Sequence, residues 1–143
     1  MSSLREQILA DIATRLATIA SVTVQRSRVV PVKRSDGIVI VVTPVDETAT
    51  PQLQDAFLRE LRVITSVRAR GAIPDQVADP TAVAVYAKLM GTQDSRTLGG
   101  LAVDILELSR EFAMDEADLD AIDYQILWQV AYMTSVADEA TGA

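Results

Sequence analysis

The stretch Ala121–Ser135 limits the fold more than any other, because it alternates without a break along its whole length. Ile122, Tyr124, Ile126, Trp128, Val130 and Tyr132 fall on one side, and Asp123, Gln125, Leu127, Gln129 and Ala131 on the other. A period of two sends successive side chains to opposite faces of a strand, so the pattern predicts a long core strand with one aromatic face. The only Trp and two of the three Tyr lie on that face. Burying each such side chain stabilises the fold by roughly 2–3 kcal/mol. Just before it, 103–114 also alternates, placing Leu106, Leu108, Phe112 and Met114 on one face, and the polar 115–120 joins the two runs as a β-hairpin.

With 143 residues, 49% of them hydrophobic and only 4% aromatic, the chain is expected to form one domain over 1–143 built on Ala, Val, Ile and Leu. No apolar run approaches the ~20 residues of a membrane span, and the charged amphipathic start is unlike a signal peptide. A soluble, cytoplasmic protein with no membrane partner is the expectation. The sequence has no Cys and no His. Disulfides, thiolate sites, imidazole bases and ligands, and Ser-His-Asp or Cys-His catalysis are thereby excluded. The net charge of −7 is split: residues 1–100 hold 12 Lys/Arg against 10 Asp/Glu, whereas 101–143 hold 1 against 10. An acidic total argues against general nucleic-acid binding, which needs clustered Lys and Arg, but not against acting beside DNA.

Ser3, Leu4, Arg5 and Glu6 match a capping box, and Leu4, Ile8, Ile12, Leu16 and Ile19 continue at helical spacing. An amphipathic helix over 3–20 follows, packed on its own sheet or offered to a partner. The run 22–32 is rich in Val but carries Arg26, Arg28 and Pro31, so it predicts an edge strand or extended arm. Asp36-Gly37 suits a tight hairpin turn, and Ile38-Val39-Ile40-Val41-Val42 suits a central strand covered on both faces. The Thr- and Pro-rich 43–55 predicts a long loop, mobile until a neighbour orders it. Residues 57–69 alternate Phe57, Leu61, Val63, Val67 and Ala69 against Glu60, Arg62, Ser66 and Arg68, a half-buried strand. Asp79-Pro80 then predicts a helix start, with Val83, Tyr86, Ala87 and Met90 on one face and Gly91 as C-cap, and 75–78 as a further turn before a kink at Pro80. The segment 92–100 predicts a loop, and 136–143 a frayed tail. The order is α-β-β-β-α-β-β: an α+β fold with a mixed or antiparallel sheet and two helices packed on it.

No pattern in the chain assigns a catalytic, cofactor-binding or metal-binding residue. The acidic cluster Asp115, Glu116, Asp118, Asp120 and Asp123 fails as a calcium loop, because Asp120 and Ile126 stand where Gly and a bidentate Glu are required. It suits a solvated hairpin tip. Gly99-Gly100 lacks the Lys-Ser/Thr of a phosphate loop. Arg26, Arg28, Lys33 and Arg34 either shield a sheet edge or contact another protein. Charge and loop position make Arg26, Arg28, Lys33, Arg34, Asp46, Glu47, Asp115, Glu116, Asp118 and Asp120 the candidate subunit and partner contacts, the basic arm of one copy facing an acidic surface of the next.

Several short segments together resemble the tail terminator family of long-tailed bacteriophages and prophages, which includes the lambda minor tail protein U. They are Leu4-Arg5-Glu6-Gln7-Ile8-Leu9, Val39-Ile40-Val41-Val42-Thr43-Pro44-Val45-Asp46-Glu47, Leu61-Arg62-Val63, Asp79-Pro80-Thr81-Ala82-Val83-Ala84-Val85, Thr97-Leu98-Gly99-Gly100-Leu101-Ala102-Val103-Asp104-Ile105 and Tyr132-Met133-Thr134-Ser135. The resemblance implies a non-enzymatic virion protein that needs no cofactor and is assembled in the host cytoplasm. It implies a homo-oligomeric hexameric ring at the head-proximal end of the tail, or neck. There the ring would meet the major tail tube protein and the head–tail connector or stopper, stop tube growth, and let DNA pass through its bore without specific binding. Other neck proteins, for tail completion or head–tail joining, resemble it similarly. A small enzyme or ligand-binding domain using carboxylates is the alternative from a different class, and would need a pocket of perturbed acids.

Overall fold

The computed structural model describes residues 2–27, 37–114 and 120–142. Its elements run α1 (Leu4–Leu16), β1 (Val22–Arg26), β2 (Ile38–Gln52), β3 (Ala56–Arg70), α2 (Pro74–Met90), α3 (Gln93–Arg96), a 3-10 turn over Leu98–Gly100, β4 (Asp104–Met114) and β5 (Ala121–Ser135). The five strands form one mixed sheet in the order β1-β2-β3-β5-β4. This is the expected α+β arrangement, with a third, short helix inside 92–100, where a loop is expected.

β5 lies between β3 and β4, antiparallel to both, and buries every second residue from Ile122 to Thr134. Trp128 and Tyr132 are each 1% exposed on the face that α1 and α2 cover. The indole N–H of Trp128 finds its acceptor in Thr65 Oγ1 at 2.9 Å, so the deepest aromatic leaves no polar group unpaired. β3 alternates as its sequence predicts, with Leu61, Val63, Val67 and Ala69 buried. Phe57 is only half-buried.

α1 starts at Ser3, whose hydroxyl accepts from the Glu6 amide at 3.1 Å, and Leu4, Ile8, Leu9, Ile12 and Leu16 are buried on the sheet. Only half of the capping box forms, since the Glu6 side chain turns to Arg26 instead. α2 begins earlier than Asp79-Pro80 suggests. Pro74 takes the first helical turn, where its missing N–H costs nothing, and Pro80 is absorbed in the interior. Its buried side is Ala78, Thr81, Ala82, Val85 and Leu89; of the predicted Val83, Tyr86, Ala87 and Met90, Met90 packs partly against the core, whereas Val83 is 60% exposed. Ala78 and Ala82 on the inner side let the helix axis approach the sheet, while Val85 and Leu89 fill the core beyond them.

Three further expectations are overturned. β1 pairs with β2 in parallel, Val22 opposite Ile38, so Asp36-Gly37 does not close a hairpin between them. The predicted loop 43–55 is mostly strand: β2 runs on to Gln52, antiparallel to β3, and a tight turn with Gln54 and Asp55 at φ 66° and 59° joins them. Only residues 38–42 of β2 are flanked on both sides, because β1 spans just that length. From residue 43 onward β2 has no strand on its other side among the described residues, which is why Pro44 and Pro51 can sit in it. Finally, a bulge between Glu107 and Ser109 switches the facing of β4 midway, so Leu106, Leu108, Phe112 and Met114 do not share a buried face. All four are exposed.

Residues 136–142, for which fraying is expected, carry defined backbone bonds. The Leu4 amide donates to the Glu139 carbonyl at 3.0 Å, Val136 donates to Asp55 at 2.8 Å, and Thr134 bridges to Gly142. The chain's end is thus placed beside the start of α1.

Candidate functional site

β2, β3, β5 and α1 converge on a polar cluster around Glu47. The bulge between Pro44 and Asp46 brings Glu47 to the helix-covered side of the sheet, opposite Leu61. Arg5 of α1 grips its carboxylate with both arms: Nε donates to Oε1 at 3.1 Å and Nη2 to Oε2 at 2.7 Å. Arg59 Nη1 donates to Oε2 at 3.2 Å, and the buried Tyr132 hydroxyl donates to Oε1. Arg59 also donates through Nε to Thr134 Oγ1 at 2.9 Å, and Glu139 Oε2 lies 3.7 Å from Arg5 Nη2. Burial pushes the Glu47 carboxyl up, but the bonds from Arg5, Tyr132 and Arg59 and the charge of Arg5 outweigh it and hold the group below the ordinary glutamate value. Burial and then the bond to Glu47 push the Tyr132 phenol well above its usual value. Two cations and a phenol saturate one carboxylate, so the cluster fixes geometry rather than offering a free acid or base.

Of the remaining contact candidates, those among the described residues are engaged within the chain. Arg26, at the end of β1, makes a two-pronged pair with Glu6, 3.1 Å for each bond. Asp46, on the opposite side of the sheet from Glu47, takes a two-pronged bond from Arg62, with Nε to Oδ1 at 2.6 Å. That bond holds the Asp46 carboxyl below the usual aspartate value. Asp120 accepts from the Gly71 amide through its carbonyl at 2.9 Å. Arg28, Lys33, Arg34, Asp115, Glu116 and Asp118 lie outside the described residues. Of the described candidates, Asp46 and Glu47 lie on opposite sides of the sheet and so do not share one patch. Glu47, Arg5, Arg59 and Tyr132 do form one, and no local spacing could have revealed it, since its members come from four different elements.

Two surfaces stand out as uncommitted. The sheet side away from α1 and α2 shows half-buried Ile64, Leu127 and Met133 between charged residues of β2 and β3. The margin at β4 shows the four exposed apolar residues named above. Among the described residues no group of three or more acidic side chains is placed to hold a metal ion.

No family model and no curated protein sequence matches the chain. Its fold does match that of a chain in a solved structure titled "Virion of native gene transfer agent (GTA) particle". The two share 18% identity with a TM-score of 0.53, over 90% of this chain and 90% of that one. The chain is similar in fold to that virion component along nearly its full length.

Proposed function

We propose that this chain is a non-enzymatic structural protein of a phage-like particle, a terminator that forms a hexameric ring on the head-proximal end of the tail tube. The observation that carries this reading is the fold shared with a gene transfer agent virion chain over 90% of both molecules. The segments that resemble tail terminators lie along the same length and point to the tail end in particular. In this role the ring stops tube growth and presents its outer surface to the head connector, while DNA passes through the bore without sequence-specific contact. The saturated Glu47 cluster suits a scaffold, because it spends its charges on locking α1 and the chain's end to the sheet.

Deleting the coding sequence in the host that makes the particle and measuring tail lengths by electron microscopy tests this. Tubes of uncontrolled length without heads, restored to one length by added purified protein, are the expected result. Normal tails joined to heads in the deletion strain would rule the role out.

A further inference from the structure

Among the described residues β4 is bonded to β5 alone, so its outer side carries a row of unpaired backbone groups. Beyond the bulge, its two faces differ in chemistry. Phe112 and Met114 stand opposite Tyr124 and Ile122 in the ladder and so face the helix-covered side, whereas Glu111 stands opposite Gln125 and faces away from it. Phe112 and Met114 are 58 and 44% exposed. With Ile122 and Tyr124 they line a groove between β4 and the first turns of α2, and Asp75 and Asp79 of α2 form its far rim. The Phe112 ring meets Tyr124 edge-on, with 4.6 Å between ring centroids. Arg110, on the same face, is already committed, donating to the Tyr124 hydroxyl at 2.8 Å and to Glu107 at 2.6 Å. Asp75, Asp79 and Glu111 have no ion-pair partner among the described residues. The margin is therefore apolar toward the groove and acidic around it.

We infer that this margin docks an extended segment of a different protein, one in which apolar residues alternate with Lys or Arg, added to β4 as a further strand. The alternation follows from the pleat, which sends successive side chains of an added strand to opposite faces. Its apolar residues enter the groove beside Phe112 and Met114, and its cations lie on the other face, toward Glu111. A cation at the end of the segment reaches Asp75 and Asp79. A second copy of this chain is a poorer occupant. Among the described residues, β1 is the strand that combines Val with Arg at a margin of the sheet, but Val22 and Val24 pack on the core and Arg26 is held by Glu6. The length of β2 beyond residue 42 carries Asp46 and Glu47 and no cation. Pairing of β4 with β4 brings the acids of two like margins together. The contact goes beyond the tail-end reading and takes no support from it, so either can fail without the other.

The probe is a short synthetic peptide in which Val and Lys alternate, titrated into the purified full chain and followed by backbone amide NMR. A peptide alternating Val with Glu, and one holding the same Val and Lys in two blocks, are the controls. The alternating Val–Lys peptide should shift the amides of 109–114 and of the first turns of α2, and should slow hydrogen exchange of the β4 amides that do not bond to β5. Asp75→Asn combined with Asp79→Asn should weaken its binding about threefold at low salt and less at high salt. Phe112→Ser, at an exposed position, should weaken it about tenfold, with Met114→Ser as the substitute should that variant not fold. Equal binding of the Val–Glu or the block peptide, shifts elsewhere on the chain, or no shift even at millimolar peptide would each overturn the inference. Self-association of the chain in sedimentation velocity that Phe112→Ser abolishes would overturn it in favour of a second copy on this margin.

Discussion

Glu47 occupies a place where a carboxylate is costly, on the helix-covered face of a sheet, and it is tolerated because three donors converge on it. Changing it to Leu should destabilise the protein by about 2–3 kcal/mol, because Arg5, Arg59 and Tyr132 would be left partly buried with lost partners. Urea unfolding of the variant against the parent checks this. The sign of the pH effect follows from the lowered value of Glu47 in the folded state. Its contribution is fully present above the unfolded glutamate value of about 4.3 and is lost as pH falls through the lower folded value. Glu47→Gln should therefore flatten the acid limb of stability below about pH 4, and an acid limb as steep as the parent's would remove Glu47 from this role. Thr65 is a second test at this scale. Thr65→Val removes the acceptor of the Trp128 N–H and should cost about 1–2 kcal/mol. Neither site was legible in the sequence. Glu47 and Asp46 were singled out as acids on a loop, but their partners sit far along the chain, and only the strand register brings them together.

At the scale of elements, what was legible was what obeyed one period and one environment. β5 and β3 lie inside the sheet, and β5 alternates cleanly along its whole length, so their bounds and the buried face of β5 follow from the residues. β2 changes environment at residue 43, from a central position to an edge, and its composition changes with it, from pure Ile/Val to Thr and Pro. That change imitates the end of a strand. Hydrogen exchange should show amides of 46–50 that face β3 protected well above loop values in the free subunit; exchange at loop rates would refute the paired strand. α2 misleads for another reason, since its packed side mixes Ala78, Thr81 and Ala82 with Val85 and Leu89, while Val83 and Tyr86 point outward. Ala82→Leu should overpack against the sheet and cost about 1–3 kcal/mol, whereas Val83→Lys should change stability by less than about 0.5 kcal/mol. Thermal melts of the two variants distinguish the faces. In β4 a bulge breaks the period, which no spacing in the sequence announces.

For the whole molecule, the uneven charge takes on a different meaning once the pairs are known. Arg5, Arg26, Arg59 and Arg62 are each bonded to acids of the same chain, so much of the basic half is spent on folding. The acidic margin at β4 and α2 keeps its charge at the surface, beside exposed apolar side chains, and this combination suits assembly more than solvation. The most direct test of the account is cryo-electron microscopy of the intact particle with this chain fitted into the density. The account predicts six copies in a closed ring between the tail tube and the head connector. Density for the chain elsewhere in the particle, or in a ring at the distal tip of the tail, would contradict it.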